Sequence, residues 1–205
     1  MRTSSIEVRD LLISWLVLGF CFALVLFHTF SPGDFVRGFV IALSALGAGF
    51  ICHELSHKFV AQKLGFQAEF RLWQTGLIIA LACAFISYYA SISLHRPIGF
   101  LFAAPGAVYI LSYTPRREGG LISLAGPTAN IVLAFIFYAV YRYGSGFAAA
   151  IGYYGVIINL FLAAFNLLPI PPLDGSKIFA WNVPLWVAMM VIAAGLLVFF
   201  MVWGI

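Results

Sequence analysis

Six long apolar runs separated by short polar breaks organise the chain: Leu11–Phe30, Phe35–Lys63, Gly76–Leu94, Leu121–Arg142, Ala148–Leu168 and Pro184–Ile205. A helix of about 20 mostly apolar residues crosses a bilayer, so each run predicts a transmembrane span. A shorter apolar stretch, Ile98–Ser112, holds Pro105-Gly106 and then Ala107-Val108-Tyr109-Ile110, which reads as extended backbone. Phe66–Trp73 alternates imperfectly between apolar and polar residues and suggests a short strand. The expected fold class is an all-α polytopic membrane protein. It has about six transmembrane helices and a short extended or β re-entrant element near residues 98–112. No linker or repeat divides the chain, so residues 1–205 are expected to form one integral membrane domain.

Composition sharpens this picture. The 205 residues are 63% hydrophobic and 9% charged, against about 45–50% and about 25% in soluble domains. The lipid bilayer is the expected surroundings and any partner is met in or near it. The net charge of +4 does not indicate nucleic acid, because Lys and Arg fall mainly in the hydrophilic breaks, where they orient a membrane protein. Arg2 and Arg9 before the first run place the N-terminus in the cytoplasm. That run exceeds a cleaved signal core and no small-residue cleavage site follows, so it is expected to be retained. The second run then returns, with Lys58, Lys63 and Arg71 inside. Cys21, Cys52 and Cys83 all lie in apolar runs and form neither a disulfide framework nor a metal motif.

The chemistry concentrates in the second run. His53-Glu54-Leu55-Ser56-His57 places two imidazoles four residues apart, about 400° around a helix and therefore on one face. That spacing suits one zinc ion, with the intervening Glu54 able to move a proton to or from an attacking water. Ionisable groups inside a span are costly and mark function. A catalytic zinc needs a third protein ligand and an open position. Glu7, Asp10, Asp34, Glu69 and Glu118 lie at span ends or breaks, where a solvated surface charge is expected. Asp174 is the better candidate, following Asn166-Leu167-Leu168-Pro169-Ile170-Pro171-Pro172-Leu173 and preceding Gly175. The prolines hold that segment extended, and Gly175 permits a turn. A Pro-rich loop with an Asp turn residue remains the structural alternative.

Asp174 must share a depth with the histidines, which constrains the topology. If Gly76–Leu94 leads out and nothing returns, Asp174 ends on the wrong side. Fifteen extended residues reach about 50 Å, so Ile98–Ser112 can bring the chain back. The segment around Pro105-Gly106 is therefore expected beside the site, where a substrate strand could add to its free edge.

These motifs together resemble the site-2 protease family of intramembrane zinc metalloproteases, in a form without PDZ or CBS domains. His53-Glu54-Leu55-Ser56-His57 and Asn166 with Pro169, Pro171 and Asp174-Gly175 carry the resemblance. Pro105-Gly106-Ala107-Val108 and Ala125-Gly126-Pro127-Thr128-Ala129-Asn130 match its prokaryotic members. The resemblance implies a catalytic core over about 35–177 and one Zn2+ per chain, held by His53, His57 and Asp174. It implies Glu54 as general base and acid, and Asn166 at the substrate backbone or oxyanion. Pro105, Gly106, Ala107 and Val108 would mark the substrate strand region. The substrate would be a transmembrane segment of another protein, cut in regulated intramembrane proteolysis. The protein would be a multi-pass protein of the cell membrane, with its active site in the cytoplasmic half of the bilayer. Two other functions share part of the pattern: a catalytically silent zinc-binding chaperone and a membrane metal transporter. Asn130 and Asn159 are expected to be contacts between helices, Gly126-Pro127 to shape a helix start, and His28 and His95 to be interfacial.

Overall fold

The computed structural model describes residues 3–27, 32–96, 99 and 105–203. Seven helices and two strands follow in the order α1 (Ser5–Phe27), α2 (Pro32–Lys63), β1 (Ala68–Leu72), α3 (Gln74–Ser93), β2 (Gly106–Ile110), α4 (Arg116–Tyr143), α5 (Gly146–Asn166), α6 (Asp174–Trp181) and α7 (Val183–Trp203). Six of them, all but α6, are long and apolar enough to cross a membrane. The polytopic all-α architecture expected from the apolar runs is therefore present. His28, Pro97, and residues 98 and 100–104 of the expected re-entrant segment lie outside the described residues.

The helices pack where small residues let them approach. Gly144 and Ser145 alone join α4 to α5, and Gly146 takes φ +54° to reverse the chain. Along that hairpin Gly152 lies against the Tyr141 backbone. Leu18, Ala42, Ala45, Leu46, Phe50 and Ile158 fill the centre of the α1, α2 and α5 layer. Large apolar side chains point outward instead on α3 (Ile78, Ile86, Tyr89) and α7 (Val198, Met201, Val202). That is the surface expected of helices facing lipid.

β1 and β2 form a two-stranded antiparallel sheet, with Ala68 opposite Ile110 and Leu72 opposite Gly106. The sheet resolves the chain path. From Trp73 the chain leaves along α3, 20 residues or about 30 Å. It is back beside Trp73 at Pro105, whose carbonyl accepts from the Trp73 N–H at 2.7 Å. The outward step of α3 is thus undone before α4 begins. The N-terminal end of α1, the C-terminal end of α2, the sheet, the start of α4 and α6 consequently gather at one end of the bundle.

Four expectations change. A further helix, α6, begins at Asp174 where a turn was expected. Pro127 lies inside α4 rather than near its start; the fully buried ring forfeits only its own bond to the Ser123 carbonyl, while the helix around it continues. Gly175 sits in α6, and its missing side chain matters because a Cβ there would overlap the Leu167 carbonyl. Glu7 and Asp10 are buried, 0% and 3% exposed, not solvated. Glu7 pairs with Lys58 and accepts from the Phe70 N–H at 3.1 Å, and Asp10 accepts from the Leu72 N–H at 3.3 Å. Strand amides, the buried Lys58 ammonium at Glu7 and the Arg9 guanidinium at Asp10 replace water for these carboxylates.

Gly152→Val should lower the thermal midpoint in detergent, by about 1–3 kcal/mol of stability, since backbone cannot move aside as a rotamer can. Gly195, with nothing within 4 Å of an added Cβ, is the control: Gly195→Ala should leave the midpoint unchanged or raised.

Candidate metal centre

α2 supplies His53, Glu54 and His57, and the first residue of α6 supplies Asp174. The loop 167–173 carries the chain from α5 back to this face. His53 Nε2 and His57 Nε2 lie 3.0 Å apart. Asp174 Oδ2 is 3.3 Å from the first and 3.1 Å from the second. One ligand atom from each of the three residues falls within 4.8 Å of the others. The histidines are 4% and 5% exposed. Burial alone would raise the Asp174 carboxyl, but with the imidazoles protonated their charge and hydrogen bonds outweigh it and hold the group well below the usual carboxylate range.

The far sides of both rings are fixed. His53 Nδ1 meets Asn130 Oδ1 at 2.6 Å, and His57 Nδ1 meets the Ile122 carbonyl at 2.7 Å. Both partners are oxygens that only accept, so each Nδ1 carries the proton and donates. Each Nε2 is left to present its lone pair to the centre, as a metal-binding imidazole does. The Asn130 amide cannot be turned round. Its nitrogen donates to the Gly49 carbonyl at 3.1 Å and to Asn159 Oδ1 at 3.0 Å, while Asn159 Nδ2 donates to the Gly155 carbonyl at 2.8 Å. A polar line thus runs from α5 through α4 to α2. Three acceptors this close need a shared cation, either protons or one metal ion. Two imidazoles and a carboxylate, with room for a fourth group, are a donor set suited to zinc.

Gly126 decides how closely α4 covers the cluster. A Cβ there would overlap His57 Nε2 and stand 2.6 Å from His53 Nε2. Glu54 is 7% exposed, and its Oε2 is buried without a hydrogen-bond partner. A buried carboxylate oxygen left unanswered beside this donor set fits a site that takes up an ion or water.

A cavity of about 850 Å³ opens onto the cluster. His53, Glu54, His57, Asp174 and Asn166 line it, and so do Pro105, Gly106, Ala107 and Val108. Arg116 and Lys177 lie in the same lining. Asn166 is turned to its own helix, Nδ2 donating to the Leu162 carbonyl at 3.0 Å. The bonds Trp73 N–H to Pro105 and Leu111 N–H to Gln67 fix the parity of the ladder. Ala107 and Tyr109 therefore bond to β1, and the N–H and C=O groups of Gly106, Val108 and Ile110 point to the opposite edge. Among the described residues nothing pairs with that edge.

All five side chains singled out in the sequence thus meet one cavity, along with the Pro105–Val108 segment. The partners of the histidines were missed. Asn130 does bridge helices as expected, but it also holds His53. An amide in an apolar span, four residues after Gly126, was the available signal; the Ile122 carbonyl left none.

Comparison with known proteins gives the same direction. The model of peptidase family M50 matches residues 41–155. The chain is 40% identical over 206 residues to a Methanocaldococcus jannaschii protein named provisionally as a zinc metalloprotease, covering 98% of each. A Bacillus subtilis protein with the same provisional name is 35% identical over 147 residues, 66% of this chain and 65% of the relative. A third, from Mycolicibacterium smegmatis, is 29% identical over 171 residues, 80% and 66% of the two chains. No solved structure matches.

Asn130→Leu should lower zinc affinity about 10–100-fold, the usual cost of losing a partner that orients a ligand. Gly126→Val should abolish binding in protein that still folds. Equilibrium dialysis with metal analysis measures both.

Proposed function

The chain belongs to peptidase family M50, the site-2 protease family, and from that membership we propose that it is an intramembrane zinc endopeptidase. Its substrate is a transmembrane segment of another protein, cut in regulated intramembrane proteolysis. The observation that carries this reading is the convergence of His53 Nε2, His57 Nε2 and Asp174 Oδ2 beside an unpartnered Glu54 oxygen.

His53, His57 and Asp174 would hold one zinc ion per chain. Zinc, when bound, supplies Lewis acidity for activating water and polarising the scissile carbonyl. Asn130 and the Ile122 carbonyl keep the two imidazoles in the tautomer that can bind it. Glu54 Oε2 takes a proton from the attacking water and passes it to the amide nitrogen as the C–N bond breaks. Attack leaves negative charge on the former carbonyl oxygen. Asn166 Nδ2 can exchange its bond to Leu162 for one to that oxygen, a contact worth about 3 kcal/mol in comparable sites.

A helical substrate hides its carbonyls in its own hydrogen bonds, so it must be drawn out before attack. The open edge of β2 supports this step. Gly106, Val108 and Ile110 offer backbone groups to an extended segment within the cavity that holds the cluster. The cavity also brings water to groups that lie in the second span.

The site end is cytoplasmic in this reading. Lys63, Arg71, Arg116, Arg117 and Lys177 gather there, while Arg37, Arg96 and Arg142 lie at or near the other ends of their helices. The excess of positive charge supports that side as the inner one.

Two experiments test the proposal. Glu54→Gln should keep its zinc and cleave a membrane-embedded substrate about 10²–10⁴-fold more slowly than wild type, the range supplied by a general base. Asp174→Ala should lose zinc affinity more severely than Asn130→Leu; full activity in either variant removes its assigned role. For orientation, Cys21, Cys52 and Cys83 are first replaced by Ala. Thr3→Cys and Arg117→Cys should then react with an impermeant thiol reagent only from the cytoplasmic side, and Ser145→Cys only from the outside. Labelling of Arg117→Cys from outside would overturn the topology.

A further inference from the structure

The sheet has two outer edges, and they are treated differently. On β2 the outward groups of Gly106, Val108 and Ile110 face the cavity and are open. On β1 the corresponding outward groups belong to Ala68, Phe70 and Leu72. Two of these amides are taken by side chains of α1: Phe70 N–H by Glu7 Oε1 at 3.1 Å and Leu72 N–H by Asp10 Oδ2 at 3.3 Å. Ser4 adds a hydroxyl contact to the Glu69 carboxylate on the same strand. The first turns of α1 thus stand in for a neighbouring strand.

Glu7 does more than close the edge. Its second oxygen takes the ammonium of Lys58, and both side chains are buried, at 0% and 1% exposed. Lys58 follows His57 directly on α2. A single carboxylate therefore joins the strand ladder to the helix that carries both imidazoles. An exposed pair would contribute little to position. This pair is desolvated and bonded on both oxygens of Glu7, which restricts it to one geometry.

We propose that Glu7, Lys58 and Asp10 are positioning residues for the protease reaction. They close the back edge of the sheet so that a substrate strand can add only to β2, and they fix the height of that edge relative to the metal cluster. Register follows from this height. Strand pairing is periodic in two residues, so a sheet free to shift along α2 would present a different peptide bond to the cluster while keeping the same side chains inward. The inference rests on the reading of β2 as the substrate edge.

Two paired variants separate the anchor from the charges. Replacing a buried ion pair by apolar groups of similar volume often leaves stability unharmed. Glu7→Leu with Lys58→Met should therefore fold, but it gives Phe70 N–H no acceptor. Glu7→Gln with Lys58→Met removes the charges and keeps a carbonyl for Phe70. Each is purified, its zinc content measured, and its cleavage site on one transmembrane substrate read by mass spectrometry.

The Leu/Met variant should bind zinc as wild type does. It should cut at the wild-type bond roughly tenfold or more slowly, within what a 1 Å misplacement costs, with new products about two residues away. The Gln/Met variant should restore the wild-type bond. A purely structural role would reduce the yield of folded protein without moving the cleavage position. Should the Leu/Met variant not fold, Asp10→Ala provides the same readout at Leu72. Wild-type rate and position in folded Leu/Met protein, or in Asp10→Ala where it replaces that protein, would overturn the inference alone. Absence of cleavage by wild type would overturn the protease reading and this inference with it.

Discussion

The two hydrogen bonds on the far sides of the imidazoles govern the rest of the site. His53 Nδ1 reaches Asn130 Oδ1 on α4, and His57 Nδ1 reaches the Ile122 carbonyl, also on α4. Both acceptors come from one helix and both donors from another, so the pair ties α2 to α4 while it sets the tautomers. Losing either bond would free a ring to rotate and bury a polar nitrogen without a partner. The same contacts place Gly126 against the Nε2 atoms, and only a residue without Cβ fits there. Helix packing and imidazole orientation are therefore one arrangement.

The surrounding polar groups extend that logic outward. Asn130 is answered by Gly49 and Asn159, and Asn159 by Gly155. The two Asn130 bonds bridge α4 to α2 and to α5, and the Asn159 bond closes the line on a carbonyl one turn back in its own helix. At the level of the sheet, Glu7 answers Lys58 and the Phe70 amide, and Asp10 answers the Leu72 amide. In a chain with so little polar surface, these networks hold elements together that apolar packing alone could slide past one another.

What the sequence reveals divides along the same line. The spans are legible because length and hydropathy are local. The His53–His57 pair is legible because helical spacing alone sets its face. Asp174 is legible as a candidate because the prolines hold its segment extended, and the structure sets its carboxylate beside the two imidazoles. Glu7 and Asp10 mislead because their position near the N-terminus says surface, whereas β1, some 60 residues later, covers them. Pro127 misleads because proline usually marks a helix start, yet a helix can pass through it where packing holds both halves. Asn130 is visible as a polar residue in a span, but its link to His53 joins positions 77 apart and no local pattern contains it. The local rules find the groups; the long-range pairings that make them a site appear only in three dimensions.

Polar satisfaction also indicates where a partner belongs. Most buried polar side chains of the site have an internal answer, but Glu54 Oε2 has none, and neither do the outward backbone groups of β2 among the described residues. Both sets line one cavity. A protein in lipid cannot leave such groups facing hydrocarbon without considerable cost. Water and an extended peptide are the two species that would answer them, water at the carboxylate and peptide at the strand edge. Those are the two reactants of peptide hydrolysis. The groups left open by the fold therefore select the same chemistry that the histidines and Asp174 suggest from their lone pairs.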